Sequence, residues 1–361
     1  MKGRSTAGIA IGFAAVLGAL SLWLFSATPE AIRETLRYAA PRSLDVTFLL
    51  LMAGAALSFA EIRDSLPRRN LFLPIAVALL ALVAVRSIPP RTHRIYYDED
   101  IYQNVAQNIV WMGRAQMCNE GTIEAGAYRC DASEYNKEPN AHPYLLSLAF
   151  RFAGVREGAA HTLNHLVFAL GAVSIFWLSS MLFDRASAGF GAALVYVLTP
   201  QNLLWSATVA AEPGAASFSV FALAAFVLFC RRPGFRTGLF AASALAFASQ
   251  FRPESGLVLV AAGVWVLVLE RGLFPSRALW GTALLVLALI VPLLAHIWAV
   301  RNEPWGSVET GKFSYAYVPG NAATNVDYYV GGEDFPRLFT LFALLGLVRR
   351  GRRRESFSVF V

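Results

Sequence analysis

The chain has little charge for its length. Only 15% of its 361 residues are charged, whereas 56% are hydrophobic. This shortage of charge excludes a soluble globular protein and indicates a polytopic membrane protein. The sequence also lacks a repeat with a clear period and a low-complexity linker. We therefore expect one membrane domain.

Long hydrophobic runs predict the fold class. A helix needs about 20 mostly apolar residues to cross the hydrocarbon core of a bilayer. The chain offers about ten such runs, which predict an all-α polytopic membrane protein with about ten transmembrane helices. The runs are 6–27, 44–60, 71–88, 159–183, 188–206, 213–230, 237–251, 255–270, 278–300 and 336–348. The first run has a second interpretation as a cleaved signal peptide, because Lys2 and Arg4 precede it.

Basic residues between the runs predict the orientation. Cytoplasmic loops carry an excess of Lys and Arg, and a cytoplasmic N-terminus places most of the short Arg clusters at the inner ends of spans. The net charge of +7 is then explained by the basic residues of the cytoplasmic loops, and we expect no nucleic-acid partner. The predicted location is the inner (plasma) membrane, with the polar chemistry on the extracytoplasmic side.

Three outer segments carry most of the polar residues. They are an amphipathic piece at 28–43, a large extracytoplasmic loop at 89–158 and a second loop at 301–336. Helical spacing of apolar residues predicts surface helices at 100–112 and 143–152 in the large loop. Cys118 and Cys130 lie in the same loop, so an oxidising compartment favours a disulfide between them. Cys230 ends a span and is interpreted as a small buried hydrophobe.

Three consecutive acids stand near the start of the large loop. Carboxylates at a membrane surface repel one another, so they need a cation, a proton or a polar substrate nearby. Asp98, Glu99 and Asp100 can act as a general base, as metal ligands, or as acids that complement the dipole of a helix start. The nearby imidazoles are His93 and His142, and a carboxylate site suits Mg²⁺ or Mn²⁺ better than zinc. The sequence leaves open whether a divalent cation, with Asp100 as a ligand, is required.

A polar run at 135–144 precedes the second surface helix. A lysine held at a membrane surface is suited to an anionic phosphate, although loop lysines are usually solvated. Lys137 is therefore a candidate substrate-binding residue. His142 is a candidate metal ligand or proton shuttle, and the alternative is a hydrogen-bonded structural residue.

Two outer turns carry charges next to proline. Glu212 lies between the fifth and sixth runs, and Arg252 and Glu254 lie between the seventh and eighth. If these residues converge on the acidic cluster, they form a polar pocket in the outer half of the bundle. The alternative is that proline ends each helical hairpin and the charged side chains reach into the interface.

Two motifs resemble a known superfamily. Segment 98–102 reads Asp-Glu-Asp-Ile-Tyr and resembles the Asp-Glu-x-x-Tyr opening of the first extracytoplasmic loop of GT-C glycosyltransferases, which include protein O-mannosyltransferases and aminoarabinose transferases. Segments 137–139 (Lys-Glu-Pro) and 142–146 (His-Pro-Tyr-Leu-Leu) resemble that family's Lys-Pro-Pro and the surface helix after it. The resemblance covers about 71–347 and makes 1–70 a two-helix N-terminal addition to a GT-C-like membrane domain at 71–361.

The resemblance implies transfer of a sugar from a polyprenyl-phosphate carrier to an acceptor, with inversion, on the extracytoplasmic face. It implies that Asp98 is the general base with Glu99 as its helper, and that Lys137 and Arg252 hold the carrier phosphate. The remaining candidates for substrate binding are Tyr102, His142, Glu212 and Glu254. The expected partners are a lipid-linked sugar donor, an acceptor of unknown kind and the bilayer.

Two features depart from the family pattern. Glu138 replaces the first proline after the lysine and puts an acid beside the expected phosphate contact. The last residues, 356–361, read like the beginning of another span, so we expect a truncated or short member. The competing functions are a secondary transporter, whose sites favour the bilayer midplane, and a catalytically degenerate assembly or scaffold protein.

Overall fold

The structure is a computed structural model that describes residues 14–15, 18–19, 21–23, 26–67, 71–93, 98–303, 315–331 and 335–348. Most of the predicted span 6–27 lies outside these residues, as do residues 304–314 and 332–334 of the predicted loop 301–336. The chain end at 356–361 and the last Arg cluster at 349–354 also lie outside them. The division of the chain at residue 70 stays a prediction.

Most of the described residues are helical. The helices are α1 Pro29–Leu57, α2 Phe59–Ser65, α3 Phe72–Ser87, α4 Asp98–Met112, α5 Ala141–Ala153, α6 Glu157–Phe183, α7 Ala186–Leu198, α8 Pro200–Ser206, α9 Glu212–Arg231, α10 Phe235–Ala248, α11 Leu257–Leu269, α12 Arg277–Leu289, α13 Val291–Ala299, α14 Val318–Gly331 and α15 Arg337–Val348. Short 3₁₀ turns lie at Pro253–Gly256, Arg271–Leu273 and Tyr315–Tyr317. The surface helices predicted at 100–112 and 143–152 correspond to α4 and α5, each a few residues longer.

The ten predicted spans are not confirmed. Among the described helices, α1, α6 and α9 are long and apolar enough to cross a bilayer, and the pair α12 and α13, bent by 40°, would make a fourth. Shorter apolar helices are α3, α7, α10 and the stretch Pro253–Leu269. The run at 188–206 is divided between α7 and α8 at Thr199 and Pro200, because proline cannot donate the helical hydrogen bond.

Helix α1 is longer than its apolar run. The predicted amphipathic piece at 28–43 and most of the predicted span at 44–60 form one continuous helix. The helix starts at a cap, where Thr28 Oγ1 accepts a hydrogen bond from Ala31 N at 3.3 Å. Its 29 residues extend about 43 Å, more than the hydrocarbon core of about 30 Å. The first turns of α1 can therefore reach the outer loop.

One β-hairpin interrupts the helices, and the all-α prediction missed it. Strands β1 (Met117–Glu124) and β2 (Ala127–Glu134) pair antiparallel around a turn in which Ala125 and Gly126 have φ of 50° and 80°. Most residues of both strands are exposed or half-exposed, so no alternation of apolar residues marks them. A disulfide joins Cys118 to Cys130 across the hairpin, and Cys230 is buried.

Close packing of aromatic rings between the start of α9 and the residues after α10 places the polar turns. Phe251 is fully buried and stacks on Phe218 of α9, with ring centroids 4.9 Å apart. Gly214, in the first turn of α9, makes room for this ring, because a Cβ there would lie 2.5 Å from Phe251 Cε1. The residue after Phe251 is Arg252, so this contact holds Arg252 at the start of α9.

Candidate active site

The site begins with one arginine between two glutamates. Arg252 Nη1 donates to Glu212 Oε1 at 2.6 Å, and Arg252 Nε donates to Glu254 Oε1 at 2.5 Å. The side chains of Arg252 and Glu212 are 24% and 35% exposed. Arg252 is therefore in direct contact with both Glu212 and Glu254. Two of the five N–H donors of the guanidinium are used, and the other three have no partner among the described residues.

Asp98 and Glu99 share the first turn of α4 but face different surroundings. Asp98 is half-buried, and its carboxylate has no hydrogen-bond or ion-pair partner among the described residues. Glu99 is fully buried, and its Oε2 accepts a hydrogen bond from the backbone N–H of Val209 at 3.0 Å. In this structure Asp98 is therefore the acid of the pair that is accessible to a substrate.

Side chains from three helices hold the buried loop between α8 and α9. His142 Nε2 donates to the carbonyl of Val209 at 2.9 Å, because a carbonyl can only accept. Asn164 Nδ2 donates to the carbonyls of Thr208 and Ala210 at 2.8 and 2.9 Å. Together with Glu99, these groups satisfy backbone atoms that would otherwise be buried without partners. The loop leads directly into Glu212, so its position fixes one side of the site.

Burial keeps His142 neutral. The side chain is 1% exposed, and this burial lowers the pKa of His142 to about 4. Nε2 is hydrogen-bonded to the carbonyl of Val209. The imidazole packs edge-on against the Tyr102 ring, with ring centroids 5.1 Å apart. These contacts describe a positioning group, and the proposed contact of His142 with substrate stays a prediction.

Tyr102 lies inside the group of charges. The residue is 1% exposed, and its hydroxyl has no hydrogen-bond partner among the described residues. Burial raises the pKa of Tyr102, and the nearby carboxylates of Glu138 and Asp98 raise it further. The hydroxyl is therefore a neutral donor beside Asp98.

Glu138 is the site residue that the sequence analysis missed. It is 6% exposed, and its Oε2 has no hydrogen-bond partner among the described residues. Asn136 holds its backbone with two hydrogen bonds of 3.1 Å. Burial, followed by repulsion from Asp98, raises the pKa of Glu138 to about 7. The only sequence signal was an acid in place of a proline in a polar run.

Lys137 lines a neighbouring cavity of about 710 Å³, together with Arg33 and Arg37 from the first turns of α1. His296 of α13 holds the backbone here. Its Nε2 lies 3.0 Å from the carbonyl of Lys137 and its Nδ1 lies 2.7 Å from the hydroxyl of Tyr135. Since the carbonyl must accept, Nε2 donates and Nδ1 accepts, so one tautomer fixes the loop that carries Lys137 and Glu138.

Asp100 is oriented away from this group. It is exposed and lies 2.9 Å from His93 Nε2, and the other nitrogen of His93 lies 2.7 Å from Glu157. Within the described residues, no group of three or more His, Cys, Asp or Glu side chains is placed to hold a metal ion. The site therefore brings together Asp98, Tyr102, Glu138, Glu212, Arg252 and Glu254, whereas Asp100 has other partners.

In a comparison with known proteins, one family model matches part of the chain. Residues 137–296 match the family model described as dolichyl-phosphate-mannose-protein mannosyltransferase. No curated protein and no solved structure matches the chain. The matched segment contains Lys137, Glu138, Glu212 and Arg252, and Asp98 precedes it. The resemblance that the motifs indicate is thus confirmed over residues 137–296, and the match supports a mannosyltransferase-like membrane glycosyltransferase of the GT-C type.

Proposed function

We propose that this protein transfers a sugar from a polyprenyl-phosphate carrier to a protein or glycan acceptor on the extracytoplasmic face of the inner membrane. One observation carries the proposal: Asp98, whose carboxylate has no hydrogen-bond or ion-pair partner among the described residues, and Arg252, which Glu212 and Glu254 fix, both act electrostatically on the buried side chains of Tyr102 and Glu138. Transfer from a phosphate ester needs a base for the acceptor and compensation for the charge of the leaving group.

Asp98 is the proposed general base. It removes the proton of the acceptor as the acceptor oxygen attacks the anomeric carbon. The bond from that carbon to the carrier phosphate breaks on the opposite side, which inverts the configuration. Among the described residues no hydrogen bond or ion pair occupies the Asp98 carboxylate, whereas Glu99 is held by Val209. Glu99 is its positioning helper, because it fixes the turn from which Asp98 extends.

The carrier phosphate is assigned to the donors of Arg252 that have no partner among the described residues, and a role for Lys137, which lines the neighbouring cavity, stays a prediction from the sequence. Arg252 is preorganised by Glu212 and Glu254, so little side-chain entropy is lost when it binds a phosphate. Glu138 does not oppose this assignment. With a pKa of about 7, its carboxyl is partly protonated at neutral pH and can donate a hydrogen bond to an anion.

The remaining candidates take supporting parts in the proposal. The buried hydroxyl of Tyr102 donates to Asp98 or to the sugar, and Glu212 and Glu254 orient the guanidinium or contact the acceptor. His142 acts through Val209. A Mg²⁺ or Mn²⁺ ion with Asp100 as a ligand stays a prediction from the sequence, and no step of the proposed reaction uses it.

The test is Asp98→Asn in the full chain, purified and supplied with a polyprenyl-phosphate sugar and an acceptor. Loss of the base lowers the transfer rate by at least about 100-fold, while the near-isosteric amide leaves the unfolding temperature unchanged. Asp131→Asn is the matched control, because Asp131 is an exposed residue of β2. Asp131→Asn is expected to retain full transfer.

If Asp98→Asn transfers the sugar at the normal rate, Asp98 is not the general base. Uptake of a free sugar into vesicles without any transfer would favour a transporter. Absence of both activities in the wild-type protein, with binding of a partner protein retained, would favour the assembly role.

A further inference from the structure

A second polar cavity lies at the far end of the helices that build the candidate site. Helix α9 has 20 residues, from Glu212 in the site to Arg231, and is about 30 Å long. The ends of α6 and α9, the start of α7 and the turn after α2 enclose a cavity of about 790 Å³ there. No part of the proposed transfer reaction uses it.

Three arginines line this cavity. Arg231 donates to the carbonyl of Met181 at the end of α6, and Arg232 pairs with Asp64 at 3.4 Å. Arg185 is exposed, and its guanidinium has no partner among the described residues. The cavity thus holds one arginine that is available to a ligand, and the other two are fixed in its wall.

The start of α7 adds backbone donors to the same cavity. Arg185 is the N-cap and has extended backbone angles (φ −144°, ψ 127°), and no side chain caps the helix. Ala186 and Ser187 line the cavity, so the free N–H groups of the first turn are next to it. Helix N-termini of this kind bind anions, since their N–H groups and the helix dipole both favour negative charge.

A buried serine gives an independent indication of a ligand. Ser180 lines the cavity, is 2% exposed, and its hydroxyl has no hydrogen-bond partner among the described residues. Gly189 in the first turn of α7 leaves room for it, because a Cβ there would lie 2.0 Å from Ser180 Oγ. A buried hydroxyl without a partner costs free energy unless a ligand or water bonds to it.

Apolar residues on one side show what kind of anion fits. Leu66, Leu73 and Leu228 line the cavity. Next to Leu73, the side chains of Leu71 and Phe72 are 40% and 70% exposed, at the start of an apolar helix. Inorganic phosphate has no apolar group to pack against this surface, whereas the acyl chains of a lipid can cover it. Basic pockets at the ends of membrane helices are typical sites for lipid headgroups.

We infer that this cavity binds the phosphodiester headgroup of a bilayer phospholipid. Arg185 and the first N–H groups of α7 hold the phosphate oxygens, Ser180 donates a further hydrogen bond, and the acyl chains lie along Leu71 and Phe72. The inference does not depend on the transfer activity.

The test is a titration of the full chain, purified in detergent, with short-chain phosphatidylglycerol below its critical micelle concentration, followed by native mass spectrometry. Arg185→Gln is expected to weaken binding about tenfold, since it removes one charge-assisted hydrogen bond. Ser180→Ala is expected to weaken binding about threefold. Arg277→Gln is the matched control, because Arg277 is exposed at the same end of the bundle and does not line the cavity.

Equal weakening by Arg185→Gln and Arg277→Gln would show general surface attraction and overturn the site. Unchanged binding in Arg185→Gln with an unchanged unfolding temperature would overturn it as well. Inorganic phosphate and glycerol 3-phosphate, titrated separately, distinguish the source of the phosphate. Binding of either as tightly as the lipid would contradict the lipid assignment.

Discussion

Helices α6 and α9 connect two polar regions that differ in how their charges are compensated. At the site end, Arg252 lies between Glu212 and Glu254, and the loop before Glu212 is held by buried side chains. At the far end, the guanidinium of Arg185 has no partner among the described residues, and Arg185 lines an open cavity. The first region is fixed before any ligand binds, which suits chemistry that needs precise geometry. The second leaves its charge for a ligand to compensate, which suits lipid binding.

The largest expected effect tests whether the site end contains a partly protonated acid. Folding raises the pKa of Glu138 from 4.5 to about 7. The stability from its protonated form is complete below pH 4.5 and is lost as pH rises through about 7. The free energy of unfolding of Glu138→Gln, minus that of the wild type, should therefore increase by about 3 kcal/mol from pH 4.5 to pH 7.

Denaturant unfolding at several pH values measures this difference. His142 acts in the opposite direction, because its lowered pKa of about 4 makes the fold lose stability as pH falls below about 6.5. His142 is present in both proteins, so its contribution cancels in the difference. A difference that is independent of pH would show that Glu138 is an ordinary ionised carboxylate.

The next effect compares the two arginines directly. Arg252→Gln leaves the half-buried carboxylate of Glu212 without its partner and should lower the free energy of unfolding by about 2 kcal/mol. Arg185→Gln removes an exposed group without a described partner and should change it by less than about 0.5 kcal/mol. Thermal unfolding of both variants gives the comparison. Adding Glu212→Gln to Arg252→Gln should recover part of the loss, and equal effects of both single variants would remove the contrast between the two ends.

The smallest effect tests the packing that places Arg252. Gly214→Ala puts a Cβ 2.5 Å from the Phe251 ring and should lower the unfolding free energy by about 1 kcal/mol through overpacking. Gly263→Ala, also in a helix, meets nothing within 4 Å and should raise it by up to about 1 kcal/mol. Denaturant unfolding measures the free energy of unfolding of both variants and checks that one value falls and the other rises. Transfer should fall only in Gly214→Ala, and normal transfer there would show that the ring does not position Arg252.

Parts of the site could be predicted from the sequence because they lie next to strong local signals. Proline beside Glu212 and Arg252 marked two turns on one face, and the acids at 98–100 marked the start of a helix. The sequence could not show that Glu99 is buried and Asp98 is accessible, because the burial of adjacent helical residues depends on which other segments pack against each of them. Glu138 was missed for the same reason, since Asp98 and Arg252, whose charges act on it, are distant in the chain. The hairpin at β1 and β2 was missed because its exposed strands carry no apolar pattern.

Composition and the length of apolar runs by themselves indicated a helical membrane protein, and short motifs indicated a resemblance to GT-C glycosyltransferases. These properties depend on local chemistry: a bilayer requires apolar helices, and a turn requires proline or glycine. Tertiary structure alone decided which acid is buried, which is partly protonated and which is accessible to a substrate. The physical reason is that a pKa depends on desolvation and on charges brought close by packing, and at Glu138 those surroundings come from segments that are distant in the chain.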